Sequence, residues 1–149
     1  IVWEVPRRDV LTVFREAMYD YDVGRAYGDP HEWRSDINKL AEEYGDRVVG
    51  YPTSVDTRMA ESLDMLHTDL KNGVTFHDGD KRVREHYGNA YVRRKGGRVL
   101  IRKETPNSNR KIDAVVGDAL AYRARSDALL EGWTHTPKAE DRKVIHFTH

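Results

Sequence analysis

Segments with helical periodicity alternate along this chain with short apolar runs, and that alternation limits its fold more than any other feature. "RRDVLTVFREAMYDYD" sets Val10, Val13, Phe14, Ala17 and Met18 on one face of a helix. "VGRAYGDP" then reads as a strand entering a turn at Gly28, Asp29 and Pro30. "PHEWRSDINKLAEEYG" returns to the helical period through Trp33, Ile37, Leu40, Ala41 and Tyr44, with Gly45 as its stop. "DRVVGYPTS" is strand-like again. In "SVDTRMAESLDMLHTDLKNG", Met59, Leu63, Leu66 and Leu70 make a stripe, Ser54 or Asp56 offers a cap, and Gly73 ends the helix.

The second half keeps the rhythm. "VTFHDGD" reads as a short strand or extended turn and "DKRVREHYGNAY" as a short polar helix. "YVRRKGGRVLIRKE" reads as two strands joined at Gly96-Gly97. The last helix is predicted over Asn109 to Arg125, capped by Ser108 or Asn109, with Ile112, Val115, Val116, Ala119, Leu120 and Arg123 in register. "IVWEVP" at the start is a short strand candidate ended by Pro6. The tail from Thr134 to His149 has no clear period and is expected to be peripheral, with His146 and His149 in solvent. This order predicts one α/β domain over residues 1–133, with an at least partly parallel sheet, and a polar tail over 134–149.

Composition closes off several function classes. At 149 residues, 38% hydrophobic and 34% charged, the chain can bury one core and is too rich in Tyr, Val and Leu to be disordered. It has no cysteine, which removes disulfides, thiolate metal sites and thiol catalysis, and suits an intracellular protein. No apolar run approaches a membrane span and no signal-peptide pattern opens the sequence. A formal net charge of zero denies any global attraction to nucleic acid. Locally, however, "VRRKGGRVLIRK" carries Arg93, Arg94, Lys95, Arg98, Arg102 and Lys103 in twelve residues. Such a hairpin is either a solvated edge that resists aggregation or a track for a phosphate backbone. No phosphate-binding loop, dinucleotide fingerprint or nucleophile-elbow motif is present.

Two carboxylates stand out. Asp29 lies at the carboxyl end of a predicted strand, the edge at which open α/β sheets bind ligands. Asp113 lies in the first turn of the last helix, on the shoulder of its apolar face. Each has a plain structural reading, a turn residue and a helix-start acid favoured by the macrodipole. Together they have a second one, since Mg²⁺ or Mn²⁺ takes oxygen ligands that converge from separate elements. His77 with Asp78 in "FHDGD", and His86 with Asn89 one helical turn apart, form a competing polar group. His86 and Asn89 at that spacing more often hydrogen-bond a loop than bind a metal.

Four segments in this order, "WEVP", "YDVGRAYGDPHEW", "FHDGDKRVREHYGNA" and "RKIDAVVGDALAYRA", resemble the C-terminal nuclease domain of the large terminase subunit of tailed double-stranded DNA phages. The resemblance covers roughly residues 1 to 125. It implies an RNase H-like mixed sheet flanked by helices, and an endonuclease that cuts concatemeric phage DNA during packaging. By the same resemblance Asp29 matches the family's second acid and Asp113 its third, both catalytic and both ligands of a two-metal Mg²⁺ or Mn²⁺ site. The family's first acid lies on a strand upstream of "WEVP", so the chain is expected to be N-terminally incomplete and to lack the ATPase domain as well. Asp118, His77, Asp78 and His86 are candidate auxiliary ligands, with Asp118 expected to face solvent. Arg93, Arg94, Lys95, Arg98, Lys103 and Lys111 are the candidate DNA contacts. Double-stranded DNA is the implied partner, with the portal, the small terminase subunit or further copies of the chain as others, and the host cytoplasm at the assembling procapsid the implied place. The alternative is a catalytically incomplete module that binds DNA or a packaging partner.

Overall fold

In a computed structural model, described for residues 5–75 and 77–135 and for the backbone alone at Glu32, the predicted alternation is present. The order is α1 (Arg7–Asp20), β1 (Ala26–Gly28), α2 (Pro30–Tyr44), β2 (Val48–Gly50), α3 (Asp56–Lys71), α4 (Lys81–Gly88), β3 (Tyr91–Lys95), β4 (Arg98–Arg102) and α5 (Asp113–Leu130). The strand proposed at "IVWEVP" falls largely on residues 1–4, and the tail on 136–149, both outside the described residues.

Local chemistry accounts for most boundaries. The Pro6 carbonyl accepts the Asp9 and Val10 N–H groups and starts α1. Asp29 caps α2 and Pro30 takes its first position, where a missing N–H costs nothing. Gly45, at φ 65°, ends α2 as predicted, and Gly73, at φ 66°, lies just past α3. Gly96 and Gly97 both have positive φ, the requirement of a tight two-residue hairpin turn.

Two caps differ from expectation. Ser54 and Asp56 do not cap α3: the cap position is Val55, and Asp56 is already helical. Neither Ser108 nor Asn109 caps the last helix, which runs Asp113–Leu130 rather than Asn109 to Arg125; the Ser108 hydroxyl instead accepts the Arg110 N–H at 3.2 Å.

Strands β1 and β2 pair in parallel through the α2 crossover, with Ala26 opposite Val48 and Gly28 opposite Gly50. Strands β3 and β4 pair antiparallel, with Tyr91 opposite Arg102 and Lys95 opposite Arg98. The chain is therefore mixed α/β, but among the described residues the strands form two separate pairs rather than one continuous mixed sheet.

Helix α5 lies at the centre, packed on β1, α3 and α4. Ala119, Ala124 and Ala128 on it are almost wholly buried, and such small side chains permit close approach. One core joins Met59, Leu63 and Leu66 of α3, Leu100 of β4, and Val115 and Ala119 of α5. A second joins Ile37, Leu40 and Val48, with Leu11, Phe14 and Trp33 against it.

Arg123, in register with the apolar stripe, reaches off it to Asp127 at 2.9 Å and Glu61 at 3.2 Å. Asp127 also accepts the Tyr27 hydroxyl at 2.7 Å, so this polar chain bolts β1 to α5 and α3. Among the described residues no helix is long and apolar enough to cross a membrane.

Candidate metal and DNA site

Asp29 is placed by the end of β1. Its backbone is extended, one carboxylate oxygen accepts the His31 N–H at 3.1 Å, and the other accepts the Thr53 hydroxyl. Thr53 follows β2, so both side chains rise from the carboxyl ends of neighbouring parallel strands, where crevices form in such sheets. Thr53 was not singled out in the sequence. The signal for it is its place three residues beyond Gly50, the register partner of Gly28.

Asp113 opens α5, exposed, with no capping hydrogen bond from the preceding residue. It lines the same cleft as Asp29. That cleft, about 500 Å³, runs between α1, β1, α2 and α5 and is walled mostly by apolar groups such as Phe14, Trp33 and Val116. Asp36 also lines it, but is buried and lies 2.7 Å from the Arg7 guanidinium, which stacks over Trp33.

Among the described residues no three His, Asp or Glu side chains cluster closely enough to hold a metal by themselves. The donor chemistry of Asp29 and Asp113 nevertheless fits a hard cation. Mg²⁺ is ordinarily held by one or two carboxylates, with waters and substrate phosphates completing its shell.

The auxiliary candidates lie elsewhere. Asp118, on the other shoulder of α5, does not face open solvent: it accepts the Tyr87 hydroxyl at 2.9 Å in a separate cavity of about 250 Å³ that His77 also lines. Burial, and then the Asp118 bond, push the Tyr87 phenol well above its ordinary range. His77 Nδ1 accepts the Gly79 N–H at 2.9 Å and Asp78 accepts the Asp80 N–H at 2.9 Å, so "HDGD" is a self-bonded turn. Asn89 does hydrogen-bond a loop, donating to the Lys111 carbonyl just before α5, whereas His86 accepts the Ala114 N–H inside the first turn of α5 itself.

Asp80 caps α4 by accepting the Arg82 N–H at 2.7 Å, and its side chain pairs with the Arg82 guanidinium. That guanidinium, and then the backbone bond, hold the Asp80 carboxyl down at about 2. A carboxyl pKa below its unfolded value stabilises the folded state above pH ~4, and that contribution is lost as pH falls through about 2. In an acid titration followed by circular dichroism, Asp80→Asn is expected to lose this part of the pH dependence. An unchanged acid limb would refute the cap's role.

The basic residues divide by strand alternation. Arg93 and Lys95 share a face of β3 and both pair with Asp56, at 3.2 and 2.6 Å. The Lys95 bond, above all, holds the Asp56 carboxyl below its usual range. Arg98, opposite Lys95, joins that face. Arg94 points the other way and lines an apolar groove with Val92 and Val99. Lys103 follows β4, and Lys111 approaches α5 with its carbonyl bonded to Asn89.

Two phage proteins resemble the chain over nearly its whole length. The "Gene 13 protein" of Mycobacterium phage L5 is 30% identical over 153 aligned positions, covering 95% of this chain. Its namesake in Mycobacterium phage D29 matches to the same extent. The chain spans about a quarter of the length of these curated relatives, 25% in each case. No protein-family model matches it, and no solved structure is similar to it.

Proposed function

We propose that this chain is part of the nuclease domain of a phage large terminase subunit, an RNase H-like, metal-dependent endonuclease that cuts concatemeric viral DNA in the host cytoplasm at the assembling procapsid. The observation that carries the reading is that Asp29 and Asp113, 84 positions apart in sequence, line one cleft at the carboxyl end of a parallel strand pair. Two relatives from phages fit this setting.

Asp29 and Asp113 would hold the metal; the Thr53 hydroxyl and the His31 N–H fix the Asp29 carboxylate in place. Bound there, Mg²⁺ or Mn²⁺ would supply activation of water and stabilisation of the leaving 3′ oxygen. The basic hairpin, with Arg93, Arg94, Lys95 and Arg98, would track the phosphate backbone, DNA phosphates competing with Asp56 for Arg93 and Lys95.

A second reading, a non-cutting module that binds DNA or a packaging partner such as the portal, has its own support. Asp29 already serves as a helix cap with both oxygens engaged.

Nicking of supercoiled plasmid by the folded chain in Mn²⁺, absent in chelator, is the expected result. Retention of the plasmid in a gel without nicking would replace the nuclease reading with the second one.

A further inference from the structure

Helix α5 begins without a local cap, yet its first turn is not left unsatisfied. The Ala114 N–H, one of the orphan donors of a helix start, is accepted by His86 Nδ1 at 3.0 Å. Two residues before the helix, the Lys111 carbonyl accepts Asn89 Nδ2 at 3.1 Å. His86 is on α4 and Asn89 closes its carboxyl end, one helical turn apart, so both present to the same neighbour. Their two bonds grip the backbone on either side of Asp113.

The platform that makes this grip is itself fixed. Asp80 caps α4, the Asp78 and His77 turns precede that cap, and the His77 ring lies parallel to Tyr87 with centroids 6.2 Å apart. Tyr87 in turn reaches Asp118 one and a half turns along α5. The whole "HDGD" to "HYGN" stretch therefore converges on the start of α5.

We propose that His86 and Asn89 are positioning residues for the Asp113 carboxylate: two hydrogen bonds from α4 to the backbone at 114 and 111 set where that side chain enters the cleft it shares with Asp29. The proposal rests on the reading of Asp113 as a metal ligand. As an acceptor at Nδ1, His86 carries its proton on Nε2. Its imidazole acts through the backbone and takes no part in coordination. An uncapped first turn frays, and a carboxylate on a fraying turn holds a cation less well, because its ordering must be supplied on binding. Partners that orient a metal ligand without touching the metal are worth about 10–100-fold in affinity.

The experiment is Mn²⁺ titration by calorimetry on the full chain, its Asp113→Asn variant, His86→Ala and His86→Asn, with thermal melts alongside. An asparagine places Oδ1 where the histidine has Nδ1, so it restores the acceptor without the ring. Wild type is expected to bind Mn²⁺ and Asp113→Asn to lose it, His86→Ala to weaken it by about 10–100-fold, and His86→Asn to recover near-wild-type affinity. Wild-type affinity in a folded His86→Ala variant, with only its melting temperature shifted, would reduce His86 to a structural cap and overturn the proposal. So would a His86→Asn variant no better than alanine. If wild type takes up no more Mn²⁺ than Asp113→Asn, Asp113 is no ligand, and that result, independent of His86, removes the premise along with the role.

Discussion

Asp113→Asn is expected to reduce Mn²⁺-dependent nicking by more than about 100-fold, since even outer partners of metal ligands are worth about 10–100-fold and a ligand itself more. The reasoning is local. Asp113 is exposed at the first position of α5, so an amide of the same shape removes the charge without opening a cavity. The helix loses one favourable interaction with its amino-terminal dipole, about 0.3–1 kcal/mol. That is too small to unfold a domain held by two apolar clusters. Activity and stability should therefore separate: the variant melts close to wild type and does not cut. Asp29→Asn is a less clean probe, because Asp29 also caps α2 and receives Thr53. Undiminished nicking by a folded Asp113→Asn would remove Asp113 from the mechanism.

How much of this was legible in the sequence follows the range of the interactions. Helix faces were legible in α3 and α5, where Met59, Leu63 and Leu66, and Val115, Ala119 and Leu120, are buried as their spacing predicts; in α1 the expected face is buried only at Met18, and Val13 is 62% exposed. Also legible were the stops at Gly45 and Gly73, where positive φ is a local demand. The caps of α3 and α5 were not. Ser54 and Ser108 are of the residue type that favours a cap, but α3 has Val55 at its cap position and α5 takes its cap from His86, 28 residues earlier, a partner that local patterns cannot carry.

The same limit holds at the site. Asp29 and Asp113 were each visible as carboxylates at element ends, but their shared cleft depends on α5 packing against β1. Asp118 looked solvent-facing because its partner, Tyr87, lies on another helix. The basic hairpin was legible as a run of charge. That Asp56 takes up Arg93 and Lys95, leaving Arg94 on the opposite face, needed the register and the docking of the hairpin on α3.

That docking leads to the largest expected loss of stability. Leu100 is 3% exposed and packs with Met59, Leu63, Leu66, Val115 and Ala119, the only fully buried residue that β3 and β4 contribute among those described. A lone two-stranded hairpin is marginal in water, so this one depends on its anchor. The other attachments are Ile101, partly buried against the same core, and the Asp56 ion pairs, which lie at the surface and contribute little. Leu100→Ala is therefore expected to cost about 2–5 kcal/mol, the range for truncating a buried leucine. At about 2–4 °C per kcal/mol for a chain of this size, the melting temperature should fall by several degrees or more. Val92→Ala, on the opposite face of the same hairpin and 62% exposed, should stay within about 0.5 kcal/mol of wild type. Amide exchange should distinguish local from global loss: in Leu100→Ala the β3 and β4 amides open well before those of α5, because the hairpin has lost its anchor while α5 keeps β1, α3 and α4. Because Arg93, Lys95 and Arg98 ride on that hairpin, the same substitution should also weaken DNA retention, although it removes no charge. Equal melting of the Leu100 and Val92 variants would show that Leu100 is not the anchor and that Ile101 and the ion pairs hold the hairpin instead.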